Sequence, residues 1–146
     1  MLMGRMPIAV IMQRRPVNHP WADASWSIVG VALQHGDLPA VQPLRQEEGK
    51  ETVLFSGLQL ELYPDENAGY FENWIAPEPK VFVRWRMEAE RPMPVIASVS
   101  YLEGTRMLDS GDPADGVPMP QEVHAWLGAY LQAHYRPEEK RGRRHG

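Results

Sequence analysis

The chain has 146 residues, a formal net charge of −4 at neutral pH and no cysteine. Without cysteine there are no disulfides, no thiolate-bound zinc, no cysteine-ligated iron–sulfur cluster and no cysteine nucleophile. The charge is uneven: residues 136–146 carry Arg136, Lys140, Arg141, Arg143 and Arg144 against Glu138 and Glu139, and an acidic body with a short basic end lacks the continuous basic face that nucleic acids require.

The first predicted element is a strand with Ile8, Val10 and Met12 on one face, ending at Arg14-Arg15-Pro16. The apolar run Pro7–Met12 is too short for a signal-peptide core or a membrane span, so a cytoplasmic protein without membrane association is expected. Next come Trp21 and Trp26, on either side of a polar turn, and then a second strand from Trp26 to Leu33. Both faces of that strand are apolar, which predicts a central position in a sheet. Residues 34–50 contain Gly36, Pro39, Pro43 and Gly49 and are expected to form a long flexible loop.

Leu54, Ser56, Leu58, Leu60 and Leu62 are expected on one face of a third strand. Pro64-Asp65-Glu66 opens a short helix through Asn73, with proline in the first turn and carboxylates at the positive dipole end. Tyr70, Phe71 and Trp74 are its packing residues. Val81, Val83, Trp85 and Met87 alternate with Phe82, Arg84 and Arg86, and Val95, Ala97 and Val99 follow a turn at residues 90–94, which predicts a hairpin over residues 81–100. Residues 101–109 fit a short helix that Gly104 weakens. Asp109, Asp112 and Asp115 lie in a stretch with turn chemistry and without the spacing of a calcium loop. The last helix opens at Pro120. It carries Val123, Trp126, Leu127, Tyr130, Leu131 and His134 as one apolar stripe centred on Trp126, and Pro137 stops it.

The fold expected from these elements is α+β: a curved antiparallel sheet of about five strands capped by the C-terminal helix. A small barrel of the pleckstrin-homology kind is its closed variant. Residues 1–137 are expected to form a single globular domain and residues 138–146 a basic, disordered tail.

The chemistry-bearing residues are sparse. The five histidines have no metal-ligand spacing, no Gly-x-Ser-x-Gly elbow is present, and no glycine-rich phosphate loop follows a strand. No catalytic residue, metal or cofactor is therefore expected. Asp65, Glu66 and Glu72 could act as general acid and base only if they faced a pocket. A docking surface has more support. Arg84 and Arg86 project from one strand face with Phe82, and Trp21 lies outside any core period; arginine and tryptophan are enriched at interface hot spots.

A set of short signatures spans about residues 6–137. It comprises Met6-Pro7-Ile8, Arg14-Arg15-Pro16, Pro20-Trp21 with Trp26 and Gly30-Val31, and Gly57-Leu58-Gln59-Leu60-Glu61-Leu62-Tyr63 with Asp65-Glu66. Val117-Pro118-Met119-Pro120-Gln121-Glu122 with Trp126, and His134-Tyr135-Arg136-Pro137-Glu138, complete it. Together they resemble a domain-of-unknown-function family of small uncharacterised proteobacterial proteins, whose genes often neighbour those of molybdenum-dependent formate dehydrogenase. Residues 73–76, Asn-Trp-Ile-Ala, depart from the family pattern. The resemblance implies a non-catalytic accessory or adaptor protein in maturation or assembly of such an enzyme, with a formate dehydrogenase subunit as protein partner. The alternative is a small enzyme or ligand-binding protein of molybdenum-cofactor metabolism. A deep pocket with convergent polar groups would favour the alternative, and a shallow apolar, arginine-lined surface the adaptor.

Overall fold

The alternating apolar residues of the first segment build β1 (Gly4–Arg15), the strand around which one sheet assembles. In the computed structural model, which describes residues 1–16 and 25–137, β1 pairs with β2 (Ser25–Leu33) on one side and β4 (Lys50–Leu62) on the other. β3 (Val41–Glu47) flanks β4, giving the order β2-β1-β4-β3. A second sheet of order β6-β5-β7 comprises β5 (Lys80–Glu88), β6 (Arg91–Ser98) and β7 (Ala114–Pro118). Every pairing is antiparallel. A 3-10 turn at Pro64–Glu66 leads into α1 (Asn67–Trp74); α2 (Tyr101–Leu108) and α3 (Gln121–His134) complete an α+β architecture.

The expected single sheet of about five strands is thus two sheets with seven strands, and no closed barrel forms among the described residues. The additional strands come from segments with turn composition. β3 replaces part of the loop expected at 34–50; it is exposed along nearly its whole length, so it has no buried face to impose a period of two. β7 replaces the end of the Asp109–Gly116 turn and buries only Val117. β2 is an edge strand, not a central one. It lies beside β7, where the Ile28 N–H donates to Asp115 Oδ2 at 3.0 Å, and the same oxygen accepts the Trp85 indole N–H at 3.4 Å. One carboxylate therefore joins the two sheets.

β4 departs from a uniform alternation. Val53 and Phe55 are buried, whereas further along the buried positions are Leu60 and Leu62, out of phase by one residue. The phase changes at Gly57, whose φ of 100° only glycine adopts without strain, opposite a register shift in β1 between Ile8 and Val10. Leu54 and Ser56 therefore leave the core face expected for them.

The core joins both sheets to α3 through Ile8, Val10, Met12, Leu60, Leu62, Val81, Val83, Val123 and Leu127. The apolar stripe of α3 is displaced from its expected centre. Leu127 is fully buried, while Trp126 is half-buried at the flank with its ring beside Gly4. His134 is exposed, its ring 4.9 Å from that of Tyr130.

Asparagines hold α1 at both ends. Asn67 accepts the Tyr130 O–H at 2.6 Å and donates to the His134 carbonyl at 3.3 Å, tying α1 to α3. Asn73, fully buried, donates to the Lys80 and Val99 carbonyls at 2.8 Å each and accepts the Lys80 N–H at 3.0 Å. Between them, the Tyr70 hydroxyl accepts the Tyr63 N–H at 2.9 Å and donates to the Glu61 carbonyl at 3.3 Å.

Asn73→Ala would strand three backbone groups of Lys80 and Val99, so a loss of about 2–4 kcal/mol is expected by urea denaturation. Asn73→Asp should be at least as damaging at neutral pH, because a carboxylate cannot donate to the two carbonyls; a loss under about 1 kcal/mol in both would contradict this account.

Burial pushes the Tyr70 hydroxyl well above the usual phenol range, and burial raises Tyr130 too. A folded-state pKa above the unfolded value of about 10 gives stability that is complete below about pH 10 and lost as pH rises further. Denaturation midpoints should therefore fall above about pH 10. Tyr70→Phe should flatten that fall while costing about 1–3 kcal/mol at neutral pH, where the Tyr63 N–H loses its acceptor.

Candidate functional site

Alternation along β5 places Phe82, Arg84 and Arg86 on the sheet face opposite Val81, Val83 and Trp85. The three differ in what covers them. α2 lies directly on Phe82: a Cβ added at Gly104 would stand 2.6 Å from its ring, and Tyr101 meets it edge-on at 5.9 Å. Phe82 is a packing residue of the β5–α2 contact. The glycine that lowers the intrinsic helicity of α2 is the one that lets the helix sit there. The helix is also well capped. Ser100 accepts the Glu103 N–H at 3.1 Å in a Ser-x-x-Glu start, and Glu103 accepts the Ser98 hydroxyl at 2.7 Å.

Arg84 emerges at the edge of α2. Its Nε lies 3.8 Å from Asp112 Oδ2 and, although buried, makes no hydrogen bond among the described residues. Across the sheet it faces Ile96, which is 38% exposed. Arg86 is exposed opposite Met93, itself 46% exposed. The exposed Arg86, Met93 and Ile96, with the half-buried Arg84 beside them, form a strip with apolar and guanidinium chemistry. Trp21 lies outside the described residues.

Other polar candidates are engaged in structure. Glu66 accepts the Ser100 hydroxyl at 2.6 Å and an Arg106 N–H at 2.7 Å, which clamps the start of α1 to α2. Asp112 faces Arg84 and Asp115 links the sheets. No group of three or more acidic or histidine side chains among the described residues could hold a metal ion.

Two concavities were not anticipated. A cleft of about 550 Å³ opens between the first sheet and the β5–β6 hairpin, with Trp26, Val53 and Phe55 as its apolar lining and Arg14, Glu51, Glu90 and Arg91 among the polar residues around it. Arg14 and Glu51 pair with each other at 3.3 Å. The hairpin tip above it turns through Ala89 and Glu90, both with positive φ, as a two-residue primed turn demands.

The second concavity, about 520 Å³, runs between α1 and α3 and is walled by Phe71, Trp74 and Tyr135. Trp74 is held rigidly. Its ring stacks on His124 at 4.8 Å and 5°, its indole N–H donates to the His124 carbonyl at 2.9 Å, and His124 Nε2 bonds the Trp74 carbonyl at 3.0 Å. Gly128 makes room, since a Cβ there would meet the indole at 2.9 Å. Gly128 was the available sequence signal: a glycine inside an otherwise strong helix marks a close approach.

A family model described as Protein of unknown function (DUF3305) matches residues 7–144. No curated protein and no solved structure matches the chain. The family match covers almost the whole sequence, and the chain belongs to that family. No helix among the described residues is long and apolar enough to cross a membrane.

Helix propensity alone would make Gly128→Ala stabilising by about 1 kcal/mol. The contact with Trp74 reverses the sign, so a lower melting temperature and an altered Trp74 indole resonance are expected. Combining Gly128→Ala with Trp74→Leu should be less damaging than the sum of the two single changes. A Gly128→Ala protein that is more stable than the parent would refute this close contact between Gly128 and Trp74.

Proposed function

We propose that this family member is a non-catalytic accessory or adaptor protein of the cytoplasm. In this reading it docks on a subunit of a molybdenum-dependent formate dehydrogenase during maturation or assembly. One observation carries the docking: the strip of Arg84, Arg86, Met93 and Ile96 on the outer face of β5 and β6, left open beyond α2. Arginine and methionine are enriched at protein interfaces, and methionine adapts its shape to a partner. The resemblance to proteobacterial proteins whose genes neighbour formate dehydrogenase supplies the partner class. The engagement of Glu66, Asp112 and Asp115 in structural contacts supports a non-catalytic role.

A second reading, a small enzyme or ligand-binding protein of molybdenum-cofactor metabolism, draws on the cleft around Trp26. That cleft combines an aromatic wall with two arginines and two glutamates.

The test is direct binding of the purified protein to purified formate dehydrogenase from the same host, read by biolayer interferometry. Changing Trp21, Arg84 and Arg86 together to Ala should weaken binding by about thirtyfold or more, as loss of a hot spot does. Arg86 is exposed, so Arg86→Ala alone should weaken binding while leaving the melting temperature nearly unchanged, because exposed positions contribute within about 0.5 kcal/mol. Normal binding by the triple variant, or no binding by the parent protein, would overturn the proposal.

A further inference from the structure

We propose that the cleft beside Trp26 is a small-molecule site whose ligand is an uncharged planar heteroaromatic ring with a lactam, N–H beside C=O, on one edge. The inference rests on the second reading above and deepens it, by naming the ligand class of the same cleft.

The cleft is a layer built directly on the core. β1 starts beside α3, where Gly4 meets Trp126, and ends at the cleft. Met12 pairs across the sheet with Ile28 and Val53, and all three are buried. Two residues further on, the same register sets Arg14 between Trp26 and Glu51. Cross-strand partners share a face, and a face recurs at every second residue, so this row points inward as the Met12 row does. An arginine and a glutamate thus hold two inward positions, half-buried and paired at 3.3 Å. Charged residues seldom take such positions without a use. The opposite wall is the Met87–Pro92 row of the second sheet, one step beyond the buried Trp85 and Pro94. At about 550 Å³ the space lies within the range of about 300–1,000 Å³ of small-molecule sites.

The walls select a flat ring. Trp26 supplies aromatic surface on one side, and Phe55 and the Met87 thioether supply soft apolar contacts that suit a π-system.

The charges select the ring's edge. Arg14 and Arg91 are matched by Glu51 and Glu90 around the cleft. A phosphate or carboxylate drawn to either arginine meets the glutamate beside it, and a cation meets the converse. A neutral edge with a donor next to an acceptor suits both: the carboxylate accepts an N–H while the guanidinium donates to a C=O. A lactam presents that pair. The hairpin tip supports the same reading. Ala89 and Glu90, at φ of 51° and 66°, adopt a conformation that favours Asn and Gly, and it carries Glu90 and Arg91 to the cleft.

The experiment titrates the full-length, 15N-labelled protein with guanosine, pterin, adenosine and guanosine monophosphate. It follows the Trp26 indole resonance, assigned with Trp26→Phe. Guanosine and pterin share the lactam edge and separate a purine from a pteridine source, whereas adenosine keeps the purine and lacks the lactam. At least one of the first two should shift the resonance saturably and bind about tenfold or more tightly than adenosine, with the monophosphate no tighter than guanosine. Glu51→Gln should weaken that binding about tenfold with little change in melting temperature, because a part-exposed ion pair contributes little to stability. Met87→Trp, which fills the cleft from an exposed position, should abolish it, and Leu108→Ala on the exposed side of α2 should change nothing.

The inference is overturned if the monophosphate binds tenfold more tightly than guanosine or if Glu51→Gln binds normally. A Trp21→Ala protein that binds tenfold more tightly than the parent would also overturn it, by showing that the chain itself competes for the cleft. Equal binding of adenosine and the lactams removes the ligand class and leaves the second reading standing. Absence of any shift with all four compounds counts against both.

Discussion

The arrangement of the helices depends on the way α1 is held. A helix of eight residues is not stable alone in water, and α1 has no apolar stripe to compensate: its buried residues are Asn67, Gly69, Tyr70 and Asn73. Hydrogen bonds do the anchoring. Asn67 fixes the first turn to α3, and Asn73 fixes the last to the start of β5 and the end of β6. Such polar contacts are directional, so they set the rotation of the helix about its axis more strictly than apolar contacts would. That rotation turns Phe71 and Trp74 away from the centre of the core and into the wall of the α1–α3 groove. Residues that would ordinarily be core aromatics become surface anchors.

The same logic explains which parts of the molecule were legible in the sequence. β1, β5, the β5–β6 hairpin and α3 each bury one face, so their apolar periodicity is plain. β3 and β7 bury almost nothing and carry turn residues, so no period marks them. β2 is apolar on both faces for a reason that pattern alone cannot show: its edge meets β7 of the other sheet, bridged by Asp115. β4 changes phase at Gly57, and a period carried through the glycine assigns Leu54 and Ser56 to the wrong face.

The candidate surfaces were legible to a lesser degree. The shared face of Phe82, Arg84 and Arg86 follows from alternation, but the coverage of Phe82 depends on where α2 lands, and that depends on Gly104. The groove on α1 and α3 requires two elements far apart in sequence to meet, with Trp74 and His124 fifty residues apart. Asn73, whose amide ties the last turn of α1 to Lys80 and Val99, is the residue that positions the adjacent Trp74.

The strand edges bear on how partners can be recruited. Among the described residues, four strands lie at sheet edges: β2, β3, β6 and β7. Proline interrupts three of them, at Pro43 in β3, Pro92 and Pro94 in β6, and Pro118 at the end of β7. Each removes an N–H that an added strand would need. In β2, which has no proline, the Ile28 N–H is already given to Asp115. Pairing with an added strand is therefore disfavoured at each of the described edges. The surfaces left for recognition are made of side chains: the arginine–methionine strip on the second sheet and the aromatic groove on the helices. They are built from different elements, the strip from β5 and β6 and the groove from α1 and α3, so each can be altered without touching the other.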